Sequence, residues 1–298
     1  MNPVPIIAAT NHKGGVGKTN SVRVLGQELA SNAKLNKGKP VLIIDLDPQC
    51  NTSGRWKLVR PNHNGDLTPI PHPDLNGDSS SVCDVWLKLI DPAKSSYYPT
   101  PYVTEHENLH VVPGDEALMY AVTKLPEDRQ RFVPQLLRKW LRSSEISEKY
   151  SFVLIDTPPA KGDLTNAALS AATHAYVPFI PEPQSVNGLF SILSYLNTQQ
   201  GNREFGDNLI LLGFLPNMVT STKLHKEALS ALRKHDTFSK FLMPMQLKRR
   251  IAYAETDNTL AEPGDVTSEA TSNIAVEARR FARHVGEAAL GNSQGARK

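Results

Sequence analysis

The sequence predicts an α/β fold with a doubly wound, mainly parallel sheet flanked by helices. Short, continuous apolar runs, typical of strands buried on both faces, recur along the chain. Segments with helical spacing of apolar residues lie between these runs, as in repeated strand-helix units. The runs that predict strands cover residues 4–10, 41–44, 108–112, 151–156, 175–180 and 209–215. The helical spacing predicts helices that include residues 22–29, 132–141 and 268–290, and a further helix is expected near 115–124.

Length and composition favour one large domain over two small ones. The chain has 298 residues, of which 40% are hydrophobic, enough for a sizeable core. We therefore expect a single domain over residues 1–298, with an insertion at about 55–105 and a disordered tail at about 291–298. The formal net charge of +3 permits DNA binding without requiring it. Two cysteines at no zinc-binding spacing, and no apolar run of about 18 residues, predict a cytoplasmic protein without a membrane span.

A glycine-rich loop directly follows the first apolar run and reads Asn-His-Lys-Gly-Gly-Val-Gly-Lys-Thr-Asn. Gly14, Gly15 and Gly17 let the backbone wind closely around phosphate oxygens and aim several N–H groups inward. Lys18 supplies a positive charge and Thr19 a hydroxyl for Mg²⁺, at the positive dipole end of the next helix. The alternative is an ordinary glycine-rich turn with two solvated lysines. The order of strand, loop and helix favours a phosphate-binding loop instead.

This loop departs from the general G-x-x-x-x-G-K-[ST] pattern, because Lys13 stands where the first glycine normally would. The run Lys-Gly-Gly-x-Gly-Lys-Thr resembles the deviant Walker A motif of the ParA/MinD family of ATPases, in which the extra lysine marks nucleotide-driven dimers. The resemblance implies that Lys13 reaches the nucleotide of the partner subunit. It also implies that the loop binds ATP through Gly14, Gly15, Val16, Gly17, Lys18, Thr19 and Asn20. Asn20 stands where most relatives have a second threonine, which leaves nucleotide binding intact.

Carboxylates follow two of the predicted strands. Asp45 and Asp47 come at the end of the second run and are two residues apart, so alternation along a strand places them on the same side. Asp156 ends the run at 151–156, and the carboxyl ends of parallel strands face the same edge of the sheet. The D-x-D-P-Q and D-T-P-P patterns again resemble ParA. The resemblance implies that Asp47 orients the attacking water, that Asp45 lies near Mg²⁺, and that residues 157–160 form a switch that senses the γ-phosphate. The implied catalytic residues are Lys13, Lys18 and Asp47, and the implied metal residues are Thr19, Asp45 and Asp156. Capping of the next turn is the alternative explanation for the pair at 45 and 47.

Residues 55–105 interrupt the alternation of strands and helices. Seven prolines and many Asn, Asp, Ser and Gly residues surround one amphipathic piece at 82–90. We expect a surface insertion with mobile ends, in which Val82, Val85, Trp86 and Leu89 dock that piece on the body. A tolerated surface loop is favoured over a partner-binding role.

The family resemblance also assigns base and DNA contacts in the second half of the chain. Asn217 can donate and accept hydrogen bonds, as the adenine edge requires. The resemblance also implies a later strand at 241–244, whose Pro244 would pack on the base. An ordinary strand-to-loop residue is the alternative for each. Family relatives have a loop of arginines that contacts DNA without reading its sequence, and a solvated basic face is the competing interpretation. The candidate DNA contacts are Lys223, Lys248, Arg249 and Arg250.

The resemblance implies a partition ATPase of the short ParA type. Such a protein binds ATP and Mg²⁺, forms a homodimer and binds duplex DNA non-specifically on the nucleoid. A ParB-like centromere-binding partner stimulates its weak hydrolysis, and the cargo is plasmid DNA. The tail helix has a core-facing stripe, with apolar residues at 274, 278, 281 and 285, and is not followed by the exposed bulky apolar residues with which MinD relatives insert into membranes. The DNA-bound branch is therefore favoured, with no membrane partner.

Two alternatives remain open. The chain could be a positioning ATPase for a protein cargo, or an ATP-dependent metabolic enzyme of the same superfold, such as an amide or carboxylate ligase. The ligases generally lack a lysine at the Lys13 position. The nitrogenase iron protein also shares the loop, but it needs a cysteine soon after the position of residue 156. Residues 157–165 contain no cysteine, which excludes that protein.

Overall fold

A twisted parallel sheet forms the centre of the chain. The computed structural model describes residues 3–106, 108–249 and 273–291. Its strands are β1 (Ile6–Ala9), β2 (Val41–Asp45), β3 (Val59–Pro61), β4 (Leu67–Pro69), β5 (Tyr102–Val103), β6 (Leu109–Val112), β7 (Phe152–Asp156), β8 (His174–Phe179) and β9 (Ile210–Pro216). The main sheet has the order β5-β6-β2-β7-β1-β8-β9, and every pair is parallel except β5 with β6. The predicted doubly wound, mainly parallel sheet is confirmed.

Helices cover both faces of this sheet. They are α1 (Lys18–Ser31), α2 (Ala33–Asn36), α3 (Asn51–Arg55), α4 (Leu87–Ile90), α5 (Glu116–Thr123), α6 (Glu127–Gln130), α7 (Phe132–Leu141), α8 (Ser144–Lys149), α9 (Asp163–Ala171), α10 (Pro183–Gly201), α11 (Lys223–Lys234) and α12 (Asn273–Ala289). Short 3-10 helices lie at Val82–Trp86 and Phe238–Lys240. Within the described ranges, no helix is both long enough and apolar enough to cross a membrane.

The strand order places a crevice at the centre of the sheet. After β1 the chain crosses to β2 and β6, returns to insert β7 between β2 and β1, and then continues through β8 and β9 on the other side of β1. In open sheets of this kind, ligands bind at the carboxyl ends of the strands where the winding reverses. That point lies between β7, β1 and β8.

Alternate side chains of each strand point to opposite faces of the sheet and form two buried hydrophobic layers. Ile6 and Ala8 point into the layer under α5, α7, α9 and α10, while Ile7 and Ala9 point into the layer under α1 and α12. The predicted tail stripe is confirmed at Ala278, Phe281 and Val285, which are buried. The side chain of Ile274 and residues 292–298, where a disordered tail was expected, lie outside the described residues.

The insertion contains more regular structure than its composition predicts. Strands β3 and β4 form an antiparallel hairpin, and Leu67 N–H donates to Glu116 Oε2 at 3.0 Å, which ties the hairpin to α5. The expected docking of the piece at 82–90 is confirmed, because Trp86 is buried and its Nε1 donates to Val133 O at 3.0 Å. The hairpin escaped prediction because its three-residue strands each end in proline and show no alternation.

The prediction of a strand at 241–244 is wrong in detail. Phe214 N–H donates to Phe241 O at 2.8 Å and Met243 N–H donates to Phe214 O at 2.9 Å, which amounts to an isolated bridge beside β9. Gly213 permits this approach, since it has φ +138° and a Cβ there would lie 2.6 Å from Phe241 O. Pro244 follows and has no N–H to extend the ladder.

Candidate functional site

The carboxyl ends of β1, β7 and β2 bring the sequence motifs together. Ala9 and Asp45 both pair with Asp156 in the parallel register, so the residues that end these strands lie side by side. The loop between β1 and α1 starts from the same place. We call this region, made of residues 10–20, 45–53 and 156–157, the phosphate-loop edge.

Glycines shape the loop. Gly15 and Gly17 have φ +70° and +79°, in the left-handed region that favours glycine. A Cβ on Gly17 would also lie 2.4 Å from Asn217 Nδ2. Because α1 begins at Lys18, the free N–H groups of its first turn open onto the loop, as in other anion-binding helix starts.

The neighbouring loop positions are held by packing. Val16 is buried, and a Cβ on Gly14 would meet Pro159 at 3.8 Å, which brings the loop close to the expected switch. The Asn20 side chain accepts a hydrogen bond from Arg23 Nη2 at 2.6 Å, so it is fastened along α1.

Lys18 is a buried cation. Its side chain is 6% exposed, and its Nζ donates to Asn11 O at 3.2 Å and Lys13 O at 3.5 Å. Burial lowers the pKa of Lys18, and the negative charges of Asp156 and Asp47 only partly oppose that shift. Among the described residues no carboxylate lies within ion-pair distance of its ammonium. An incoming phosphate would supply the missing counter-charge.

Asp156 is the complementary buried anion. Its Oδ2 accepts hydrogen bonds from the hydroxyls of Thr19 at 2.7 Å and Thr52 at 2.8 Å. Its Oδ1 is buried and has no donor among the described residues, and burial raises the pKa of this carboxyl to about 6. An unpartnered carboxylate oxygen beside a threonine hydroxyl is a hard-oxygen donor set that fits Mg²⁺. The residues present therefore fit the expected metal.

Asp45 is fastened within the chain. Its Oδ1 accepts from Asp47 N–H at 3.1 Å, and its Oδ2 accepts from Ser53 N–H at 2.8 Å and Ser53 Oγ at 2.6 Å. Burial, followed by the nearby charge of Asp156, raises the pKa of Asp45 to about 8. Oδ1 holds the loop after β2 and Oδ2 holds Ser53 on α3, so both oxygens are used within the chain, which favours a positioning role for Asp45.

Asp47 lies next to Lys18 at this edge and is 7% exposed. Its Oδ1 accepts from Gln49 N–H at 3.1 Å. Burial raises the pKa of Asp47, and the charge of Lys18 is one of two influences that oppose this shift. Within the described residues Oδ2 has no hydrogen-bond donor, so it is the oxygen that could accept a proton from water.

Lys13 differs from Lys18 in its surroundings. Its Nζ lies 3.2 Å from Glu182 Oε2, and the two side chains are 49% and 39% exposed. Exposed ion pairs of this kind contribute about 0–1 kcal/mol, so Lys13 can change partners at little cost.

The phosphate loop and Lys161, which directly follows the expected switch at 157–160, both contact α10. The ring of His12 packs edge-on against Tyr195 with centroids 4.7 Å apart, and Lys161 Nζ lies 5.6 Å from the centroid of the same ring. At the start of the switch, Thr157 Oγ1 donates to Ala9 O at 2.7 Å. Residues on both sides of the crevice are therefore linked to one helix.

Asn217 braces the phosphate loop. Its Nδ2 donates to Val16 O at 2.9 Å and Gly17 O at 3.3 Å, while its Oδ1 accepts from Met218 N–H at 2.9 Å. Both ends of the amide are thus used within the chain. Pro244 is exposed and lines a cleft with Pro216, at the end of β9.

The candidate DNA contacts lie on the surface beyond this cleft. Lys223 Nζ is 3.8 Å from Glu227 Oε1, with both side chains mostly exposed. Lys248 Nζ is 3.4 Å from Glu277 Oε1, on α12, and Arg249 is exposed. Arg250 lies outside the described residues.

Sequence reasoning missed three residues that hold the site. Thr52 and Ser53 lie on α3 and bond Asp156 and Asp45, and Glu182 pairs with Lys13. The sequence signal for the first two is the Thr-Ser pair shortly after Asp47, which is too common to stand out. Glu182 has no such signal. The loop, the buried lysine and the strand-end carboxylates together define the P-loop class of nucleotide-binding proteins.

Comparisons with known proteins place the chain within that class. A family model described as an AAA domain matches residues 4–207, which include the whole phosphate-loop edge. The chain is 31% identical over 201 residues to the chromosome partitioning protein ParA of Caulobacter vibrioides, a match that covers 67% of this chain and 65% of that protein. It is 29% identical over 246 residues to the sporulation initiation inhibitor protein Soj of Bacillus subtilis, a match that covers 82% of this chain and 85% of that protein. The chain belongs to the ParA/MinD family.

Solved structures share the fold. An ATP complex of McdA from Cyanothece superposes with a TM-score of 0.68 at 19% identity, covering 99% of both chains. MinD of Pyrococcus horikoshii with Mg-ADP superposes with a TM-score of 0.66 at 19% identity, covering 98% of this chain and 99% of that one. The third structure is cobyrinic acid a,c-diamide synthase of Mycobacterium smegmatis with an ATP analogue and magnesium. It superposes with a TM-score of 0.64 at 24% identity, covering 98% of both chains. At these identities the likeness establishes the fold alone.

Proposed function

We propose that this chain is a ParA-type partition ATPase that binds ATP with Mg²⁺, dimerises, binds DNA without sequence preference and segregates plasmid DNA. The observation that carries the ATPase part is the meeting of opposite buried charges at the phosphate-loop edge. Lys18 lacks a carboxylate partner among the described residues, and Asp156 Oδ1 lacks a donor there. Such charges are costly unless a ligand completes them, and Mg-ATP supplies both missing partners.

The roles of the side chains follow from their positions. The N–H groups of the loop and Lys18 would neutralise phosphate oxygens, and Thr19 with Asp156 would hold Mg²⁺. Mg²⁺, when bound, lowers the cost of the charge that develops on the phosphates. Asp47 would orient water through its free oxygen, with its backbone fixed by Asp45. Thr52 and Ser53 would position the two strand-end carboxylates.

Dimerisation rests on Lys13. Because its weak pairing with Glu182 lies on the surface, the ammonium can leave that carboxylate and reach a nucleotide held by a second copy of the chain. In this proposal hydrolysis depends on the dimer, while ATP binding to one subunit depends on Lys18.

The proposed cellular role adds DNA and a partner protein. The ATP-bound dimer would bind nucleoid DNA through its basic surface, and a ParB-like centromere-binding protein would stimulate hydrolysis and release it. Similarity to a chromosome partitioning protein of Caulobacter and to a sporulation inhibitor of Bacillus supports a role in partitioning or in a related regulatory process.

The proposal is tested by retention of the purified protein on duplex DNA of arbitrary sequence. Binding is measured with ATP, with ADP and without nucleotide, across a salt series. We expect salt-sensitive retention with ATP only, since phosphate neutralisation releases counter-ions. The Lys18→Ala variant should lose retention and should fail to maintain the plasmid in the host.

Other outcomes would replace parts of the proposal. Absence of DNA binding in every nucleotide state would remove the DNA step. ATP turnover that requires a small molecule and neither DNA nor protein would indicate a ligase. ATP-dependent DNA binding with normal plasmid inheritance in the Lys18→Ala strain would indicate a positioning ATPase for a protein cargo.

A further inference from the structure

The outer face of α12 is strongly basic and takes no part in the roles proposed above. Ala278, Phe281 and Val285 bury the inner face of the helix, whereas Arg279, Arg280 and Arg283 are exposed on the outer face. Their spacing of one, three and four residues places them on a single side of the helix. A stripe of three arginines next to a candidate DNA surface suggests a shared ligand.

Shared residues connect this stripe to the basic surface beyond β9. One concave surface is lined by Lys248, Arg280 and Arg283 together with two carboxylates, Glu277 and Glu287. A second surface shares Lys248 and Gln246 with the first and is also lined by Lys226, Arg233 and Arg249. We call the connected set the basic strip. It consists of Lys226, Arg233, Lys248, Arg249, Arg280 and Arg283.

Charge pairing differs along the strip. Lys248 is held by Glu277, which approaches both its ammonium at 3.4 Å and its backbone N–H at 3.2 Å. In the part of the chain that the structure describes, no carboxylate lies within ion-pair distance of Arg280 or Arg283. Arg280 and Arg283 can therefore meet a phosphate without breaking an ion pair, whereas Lys248, one of the two lysines expected to contact DNA, is partly neutralised.

The chemistry of the lining favours phosphate over bases or lipid. The described residues that line these surfaces include no Phe, Tyr or Trp, so bases would find no stacking platform. The outer face of α12 carries one moderately exposed apolar residue, Val276, which is too little for insertion into a bilayer. Gln246, Thr220 and Ser221 add neutral donors suited to phosphate oxygens.

We propose that Arg280 and Arg283 extend the DNA-binding surface, so that duplex phosphates run from α11 across residues 248–249 onto α12. This inference rests on the DNA binding proposed above. It makes α12, and not only residues 248–249, a determinant of affinity for DNA of any sequence.

The test compares two double variants of the full chain with equal changes of charge. Arg280→Glu with Arg283→Glu alters the strip. Lys124→Glu with Lys139→Glu alters exposed lysines associated with α5 and α7, on the opposite layer of the sheet. Retention on duplex DNA with ATP is measured across a salt series, together with ATP-dependent dimerisation by light scattering as a check on folding.

We expect the α12 variant to bind DNA at least tenfold more weakly than the control variant while dimerising normally. Milder changes, Arg280→Ala with Arg283→Ala, should reduce the slope of log affinity against log salt by about 0.9 for each phosphate that is no longer neutralised. Equal DNA binding by the two charge-reversed variants would overturn the inference and leave the proposed function standing. Absence of DNA binding by the parent protein would instead defeat both.

A lipid surface is the competing ligand for such arginines. Vesicles of phosphatidylserine and phosphatidylcholine are added to the parent and to the α12 variant, and bound protein is separated by sedimentation. We expect no arginine-dependent binding to the vesicles. Vesicle binding that is lost in the α12 variant, without a change in DNA retention, would assign the stripe to membranes and refute the inference.

Discussion

The phosphate-loop edge and the basic strip carry charged side chains in opposite surroundings. At the edge, Lys18, Asp47 and Asp156 are at most 7% exposed, and each has few hydrogen-bond partners. In the strip, Arg280 and Arg283 are exposed to solvent. Electrostatic interactions are strong where water is excluded and weak where it is not. Single substitutions should therefore act sharply at the edge and in small, additive, salt-dependent steps along the strip.

The largest effect is expected for Lys18→Ala, because it removes a buried cation that phosphate would complete. Loss of a buried, charge-assisted interaction costs about 2 kcal/mol or more, so affinity for an ATP analogue should fall at least about 30-fold. Equilibrium titration with a fluorescent analogue measures the change. Lys226→Ala, the same loss of charge in the strip, is the matched control and should leave this affinity unchanged. Similar losses in both variants would erase the distinction between the two regions.

Gly17→Ala should destabilise the edge through two separable causes. The left-handed φ of +79° strains any side chain, and the new Cβ would lie 2.4 Å from Asn217 Nδ2. Gly38 has a similar φ of +76° and no atom near its would-be Cβ, so Gly38→Ala isolates the strain. We expect a loss of about 1 kcal/mol for Gly38→Ala and of more than about 2 kcal/mol for Gly17→Ala, measured by urea unfolding.

The difference between these two glycine variants has its own check. Asn217→Ala in the Gly17→Ala background removes the clash but not the strain, so part of the lost stability should return. Equal losses for the two glycine variants would show that Asn217 moves aside freely, and the bracing of the loop by its amide would then be unimportant.

Lys13→Ala should separate binding from hydrolysis within one loop. Lys13 is about half exposed and its ion pair is weak, so unfolding free energy should change by no more than about 0.5 kcal/mol. The affinity of the subunit for an ATP analogue should stay within about threefold, whereas steady-state ATP hydrolysis should fall at least tenfold. A drop in affinity as large as that of Lys18→Ala would place Lys13 on the nucleotide of its own subunit.

The smallest effect is expected for Lys223→Ala. This lysine is almost fully exposed and makes a 3.8 Å pair with Glu227. Its loss should weaken ATP-dependent DNA binding only about twofold to fivefold and leave stability within about 0.5 kcal/mol. Filter binding at two salt concentrations would detect the change. A loss comparable to that of the α12 double variant would show that Lys223, outside the basic strip, contributes as much to DNA binding as the two arginines of α12.

The residues of the phosphate-loop edge could be predicted from the sequence better than the contacts around them. Lys18, Thr19 and Asp156 could be assigned because each follows an apolar strand or a glycine loop, and strand ends must meet at one edge of a parallel sheet. The α/β fold and the order of its main elements follow from the same regularity. The structure brings these three residues together, with Asp47 beside them.

What could not be predicted depends on contacts distant in sequence. Asn217 was expected at adenine, but nothing local indicates that its amide meets the carbonyls of Val16 and Gly17, about 200 positions away. The partnership of Lys248 with Glu277 is equally remote from any local pattern. Helix α3 went unpredicted because five residues show no period, although its Thr52 and Ser53 fix the two carboxylates.

The central claim, that opposite buried charges at this edge form a Mg-ATP site, is tested most directly with Asp156→Asn. Affinity for a non-hydrolysable ATP analogue is titrated with and without Mg²⁺, in the parent and in the variant, with urea unfolding of the nucleotide-free protein as the control for folding. We predict that Mg²⁺ strengthens binding at least tenfold in the parent and has little effect in the variant. The nucleotide-free variant should be no less stable, since a buried carboxylate becomes neutral. Equal Mg²⁺ enhancement in both proteins would contradict the account.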